Sequence, residues 1–249
     1  MRHANIYEFV LAQETAYKLP ITISENWGWN MMEHINTAVL YKNSVFKTGK
    51  HDSKPFKNII RPILNLRYRS EGFDVKDILL YIENAYQSFK SFLLKKYHER
   101  WARENKIDSF IDELIETEID FGGVLVKKTK GSRPEVVPWQ RIAFCDQTDI
   151  MSGPIAERHY YSAEELRMET EKSWQNIEEV IALAENEKKP DKERAVSNPT
   201  PGKYIEVYEV HGVFPKYWLD DSYESYDSRE DSRQVHIVTF YYGEDQKRH

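Results

Sequence analysis

Apolar residues recur at helical intervals along residues 78–101. Ile78, Ile82, Ala85, Tyr86, Phe89, Leu93, Tyr97 and Trp101 form one stripe, with Lys90, Lys95, Glu99 and Arg103 opposite. The stripe predicts a core helix that opens at Asp74, whose carboxylate can accept from the free N–H groups of the first turn. Asn105-Lys106 interrupts the pattern. A second helix is expected beyond it, capped by Asp108 or Ser109, with Phe110, Ile111, Leu114, Ile115 and Ile119 inward. Gly122-Gly123 should end it by supplying the left-handed C-terminal conformation. Further upstream, residues 1–18 read as a helical arm. Residues 19–24 should be extended, because Pro20 disfavours helix at Leu19. Residues 26–45 read as a helix carrying Trp27, Met31, Ile35, Ala38 and Val39, and residues 48–54 as a polar loop. Residues 58–68 are expected to form a broken helix or strand edge around Pro62.

After Gly123 the period shortens towards two. Residues 124–128 and 135–137 predict a hairpin turning at Lys130-Gly131-Ser132, and Pro138 separates it from residues 139–144. An acidic loop (Asp146 to Asp149) leads to a strand. Ser162 and Glu165 then form a capping-box pattern, in which hydroxyl and carboxylate satisfy reciprocal free amides. That helix should run to about Asn186. Residues 204–213 read as a strand with 217–219 pairing on it, 223–233 as an acidic excursion and 234–242 as a final strand. The class is α+β: a helical N-terminal arm, long core helices and antiparallel strands. The expected division is 1–70, arm and helical or extended segment, and 71–249, an α+β domain. The turn Gly243-Glu244-Asp245 normally leads to a partner strand and none follows, so truncation at the C-terminus is expected.

A chain of 249 residues, 40% of them hydrophobic, can bury a substantial core. No apolar run approaches the roughly 18–20 residues of a membrane span, and the first residues lack a signal-peptide core. The expectation is a soluble intracellular product without a membrane partner. The single cysteine, Cys145, excludes an intramolecular disulfide and a cysteine-rich zinc site. It is expected to be a small buried residue rather than a nucleophile. The net charge of −6 hides an asymmetry. Between Lys42 and Arg69, eight basic side chains face one acid, a local balance of +7; between Asp220 and Asp231, six acids face one arginine, or −5. Opposed segments suit subunit contacts or contact with a polyanion on one face, and also suit two solvated loops.

Candidate chemistry is sparse. Glu116, Glu118 and Asp120 cluster near a helix end, but positions two apart on a helix point apart. Glu135-Val136-Val137 also lacks the lysine that a metal-dependent nuclease would use. Asp146, Asp149 and Glu157 could offer oxygen ligands to a hard cation, yet without EF-hand spacing they read as turn or cap residues. The eight histidines, among them His34, His98, His159 and His236, show no HExxH or paired spacing. Ser162 is accounted for as a helix cap. The aromatic pairs Tyr160-Tyr161 and Tyr241-Tyr242 have few basic neighbours, so packing explains them better than base stacking. No catalytic, cofactor-binding or metal-ligating residue is assigned, and no cofactor is expected.

Taken in order, several segments resemble the portal proteins of tailed bacteriophages in their N-terminal and wing regions. They are Asn58-Ile59-Ile60-Arg61-Pro62-Ile63-Leu64-Asn65, Phe121-Gly122-Gly123, Val124 to Lys128, Pro134 to Ile142, Asp146 to Asp149, Gly153 to His159, Ser162 to Leu166 and Ile205 to Gly212. The resemblance implies a wing-like α+β domain in a homo-oligomeric ring, a dodecamer in the family, at the capsid vertex of a virion assembled in the host cytoplasm. It implies partners in the terminase, the capsid or scaffold and the tail connector, with double-stranded DNA passing through the channel. It implies no covalent chemistry. The family's stem helix and clip domain have no counterpart here, so no channel residue is assigned. An acidic balance suits a conduit along which DNA slides, because phosphate contacts by Lys and Arg would hold it tightly. Two other readings stay open. One is a metal-dependent nucleic-acid-processing enzyme using Glu116, Asp120 and Glu135; the other is a soluble adaptor that binds a basic partner between Asp220 and Asp231.

Overall fold

The computed structural model describes residues 3–25, 27–43, 59–73, 75, 78, 80, 82–83, 85–128, 133–169, 174, 176–186, 204–219 and 230–238. Its helices and antiparallel sheets give the α+β class expected. The chain forms two compact units: Met1–Met31 with Arg141–His249, and Met32–Gln140. This partition differs from a division after residue 70, because the N-terminal helix packs with the sheet built from residues 142–238.

In the first unit, helix α1 (His3–Lys18) precedes a short hairpin, β1 (Ile21–Ser24) and β2 (Trp27–Trp29). Trp27 therefore lies in a strand, not in the helix expected over residues 26–45. The last carbonyls of a helix lack internal partners. Buried Asn30 and half-buried Gln147 each donate to Tyr17 O and Leu19 O at this helix end. The main sheet runs in the order β5 (Ile142–Phe144), β6 (Ile155–Tyr161), β7 (Ile205–Pro215), β8 (Glu230–Val238), all neighbours antiparallel. Side chains alternate across it. Phe144, Tyr208, Val210 and Phe214 are buried, and Phe9 of α1 meets Phe144 and Phe214 edge-on. Ile205 and Val207, on the opposite face, pack with Leu166, Ile177, Ile181 and Ala184. Those four come from α6 (Ala163–Glu169) and α7 (Ile177–Glu185).

The expected helix from Ser162 to Asn186 is thus two helices, the second entered through Asn176 in the left-handed region (φ 62°). The capping box forms as predicted: Ser162 N donates to Glu165 Oε2 at 2.7 Å and Glu165 N to Ser162 Oγ at 3.2 Å. Residues Lys216–Leu219 make one helical turn instead of the expected pairing strand, and Trp218 from it packs on Phe9 and Phe214. The acidic excursion and the end of the last strand fall mostly outside the described residues, but β8 already begins at Glu230. At Gly212 an added Cβ would stand 2.9 Å from Pro154 Cβ. Gly212→Ala should therefore cost about 1–3 kcal/mol of this unit's stability through overpacking, measured by denaturant unfolding. An unchanged midpoint would show that β6 and β7 can separate freely there.

In the second unit, α2 (Met31–Lys42), α3 (Ile60–Ser70), α4 (Ser88–Glu104) and α5 (Ile107–Phe121) are followed by a hairpin, β3 (Leu125–Lys127) and β4 (Glu135–Val137). The turn expected at residues 130–132 lies outside the described residues. Pro62 does not break α3. It stands in the first turn, where its missing N–H has no helical partner to lose. Neither Asp108 nor Ser109 caps α5; the chain enters it through Lys106 with φ 51°. Gly122 closes it at φ 76°, donating to Glu118 O. Trp139 Nε1 donates to Gly123 O at 3.0 Å, tying the hairpin exit to the end of the helix.

The helix predicted from Asp74 begins only at Ser88, after a 3-10 turn at Ala85–Gln87. Its apolar stripe is not core. Tyr86, Phe89, Leu93, Tyr97 and Trp101 are all exposed, and Ala102 is the residue of α4 that is buried. Periodicity identifies the residues that share a helix face; it says nothing of what covers that face.

Candidate functional site

Strand pairing concentrates polar side chains on one face of the main sheet. Glu157 of β6 stands opposite Glu209 of β7, and Glu209 opposite His236 of β8. One row along, His211 of β7 stands opposite Gln234 of β8. His159 lies two residues beyond Glu157, on the same side of the strand. Glu157 and Glu209 are buried at 2% and 5% exposure.

The contacts are close. His159 Nε2 lies 2.8 Å from Glu209 Oε2 and 3.4 Å from Glu157 Oε2. Glu209 Oε1 takes the other neighbours: Gln234 Nε2 donates to it at 2.7 Å, and His211 Nε2 lies 2.7 Å away. Burial by itself disfavours an imidazolium at position 159, but hydrogen bonds to Glu157 and Glu209, and their charges, raise its pKa to about 9. At His236 burial wins, and its pKa is lowered. Tyr161 stacks on His159, and Trp174 lies 3.9 Å from the His236 ring, between centroids. Together with the α6–α7 core these rings keep one side of the cluster apolar. Among the described residues, Glu157, His159 and Glu209 are the group whose donor atoms, all within 4.8 Å of one another, are suited to a metal ion.

Sequence reasoning missed this cluster. The sequence groups Glu157 with Asp146 and Asp149 as possible oxygen ligands, but Asp146 is an exposed turn residue. It accepts from Thr148 N and Oγ1 and from Asp149 N, which lowers its pKa. His34 and His98 lie on α2 and α4 of the other unit. A usable signal was nonetheless present: Glu-x-His occurs twice, at Glu157-Arg158-His159 and Glu209-Val210-His211, each on a strand where alternate residues share a face.

The other face of the sheet carries a second polar group. Arg158 meets Glu14 of α1 at 3.3 Å and Glu206 at 3.0 Å, and Tyr208 Oη lies 3.4 Å from Glu14 Oε2. Here partly buried charges are paired and attach α1 to the strands.

In the second unit, Glu116 and Asp120 of α5 come together on Lys42 of α2. Lys42 Nζ donates to Glu116 Oε1 at 2.7 Å and to Asp120, and Tyr68 Oη of α3 donates to Asp120 as well. Burial opposes the Lys42 charge, yet these bonds raise its pKa; Tyr68, through burial and then its bond to Asp120, is pushed up to about 12. Glu118 stays exposed on α5, and Glu135 is exposed on β4. Two of the three carboxylates considered for a nuclease, Glu116 and Asp120, are thus engaged by a lysine and a tyrosine that join three helices. Cys145 is buried, its thiol 3.8 Å from Met31 Sδ and pushed up to about 11 by burial and by Asp146. Tyr160 is exposed, whereas Tyr161 packs edge-on against Trp174. Tyr241-Tyr242, and most of both charged segments, lie outside the described residues. Among the described residues no helix is long and apolar enough to cross a membrane. Comparison with known proteins finds no family model and no curated protein that matches the chain.

Proposed function

We propose that the chain is a structural subunit of a ring-shaped viral portal, a conduit for DNA at the capsid vertex that docks terminase, capsid or scaffold and tail proteins. The observation that carries this reading is the succession of elements from Ile107 to Glu169: helix, Gly-Gly cap, hairpin, acidic turn, strand and capped helix. That is the order in which the portal-like segments occur. The uncovered apolar face of α4, with Phe89 at 70% and Tyr97 at 69% exposure, supports self-association. The +7 and −5 segments suit a head-to-tail contact, in which each copy offers its neighbour a different patch.

Light scattering coupled to size exclusion, with negative-stain microscopy, tests the reading on the full-length gene product. Closed rings are expected, and Phe89→Glu with Tyr97→Glu should reduce them to monomers that keep the wild-type circular dichroism. A strictly monomeric wild-type product at high concentration would overturn the reading.

A further inference from the structure

We propose that Glu157, His159 and Glu209 bind one divalent transition-metal ion of the zinc, manganese or iron class. The proposal stands apart from the ring reading and concerns the sheet of the first unit alone.

The spacing suits an ion. Donor atoms bound at ~2.0–2.2 Å to one ion lie roughly 3.0–3.5 Å from each other. The separations of 2.8 and 3.4 Å from His159 Nε2 to the two carboxylates are within a few tenths of an ångström of that range. All three donor atoms lie within 4.8 Å of one another. A shared proton gives similar spacings, so the two occupants must be told apart by experiment.

The charge balance favours an ion as well. Glu157 and Glu209 are direct cross-strand partners, and like charges placed opposite each other destabilise a sheet. Both are almost fully buried, which sharpens their repulsion. One imidazolium balances one carboxylate; a divalent ion with a neutral imidazole balances both.

The ligand types narrow the choice of metal. Imidazole nitrogen with carboxylate oxygen suits zinc, manganese and iron, whereas calcium and magnesium favour all-oxygen shells. The surroundings match as well. Gln234 donates to the Glu209 oxygen that faces away from His159, orienting the carboxylate as outer-shell partners do at metal sites. Tyr161 and Trp174 shield the ring side.

The test uses the full chain, stripped with chelator, titrated with Zn²⁺ by calorimetry and with Co²⁺ by visible absorption. One ion per chain is expected, with Mg²⁺ and Ca²⁺ failing to compete at equal concentration. Glu157→Gln, Glu209→Gln and His159→Gln should each weaken Zn²⁺ binding at least about tenfold, while His34→Ala and His98→Ala leave it unchanged. Near-UV circular dichroism checks that each variant folds. X-ray absorption at the zinc edge of the wild-type complex needs no variant and should show an oxygen–nitrogen shell with imidazole scattering. Absence of Zn²⁺ binding, affinity unaffected by all three substitutions, or a shell without imidazole would each overturn the proposal and leave a proton-bridged ion pair.

Discussion

Phe214→Ala should destabilise the first unit by about 3–5 kcal/mol, the range found when a wholly buried phenylalanine is truncated. Phe214 is 0% exposed and belongs to the group through which α1 reaches the sheet. Its ring stands edge-on to Phe9, with centroids 5.7 Å apart, and 6.5 Å from Trp218. Truncation removes the transfer energy of the ring and leaves a cavity that β7, paired on both edges, cannot collapse to fill. Phe214→Leu should lose less, because volume is nearly kept. Since the chain has two compact units, hydrogen exchange locates the effect. Protection should fall in β6, β7 and α1 and hold in α5. A loss below about 1 kcal/mol, or equal loss of protection in α5, would contradict the packing described.

The second large effect lies in the other unit. Lys42→Met should cost about 2–3 kcal/mol. Asp120 keeps 6% side-chain exposure, so removing the ammonium leaves a buried carboxylate repelled by Glu116 and, among the described residues, still bonded by Tyr68's hydroxyl. The figure is set below that of a fully buried pair because Lys42 retains 35% exposure. A double variant, Lys42→Met with Asp120→Leu, should recover part of the loss, since replacing a buried pair by apolar groups is often close to neutral. Chemical denaturation of the single and double variants gives the coupling. Additive losses would mean that the salt bridge does not join α2 to α5.

What the sequence disclosed was mostly punctuation and strands. Ser162 and Glu165 announced their cap, and Gly122 its left-handed turn, because each acts on backbone a few residues away. The long strand containing residues 205–213 was legible from its β-branched and aromatic content. Errors arose where distant context decides. Pro62 is harmless at the start of α3 and would be disruptive a turn later. The α4 stripe is a true helical face that this unit leaves uncovered. Residues 163–185 have helical composition throughout, yet pass through a left-handed Asn176. The Glu–His cluster was hardest to see, because its members become neighbours only through the register of β6, β7 and β8. Glu157 and Glu209 are 52 positions apart in sequence.

The discontinuous first unit also constrains the order in which this chain can mature on the ribosome. Residues 32–140 emerge as one continuous piece and can fold while synthesis continues. Helix α1 emerges before them but must wait for β5, β6 and β7, more than a hundred residues later, before Phe9 has a surface to cover. During that interval Ile6, Phe9 and Val10 of α1 have no sheet to pack against. The closing contacts span nearly the whole sequence, so loop closure should make docking of α1 the slow step.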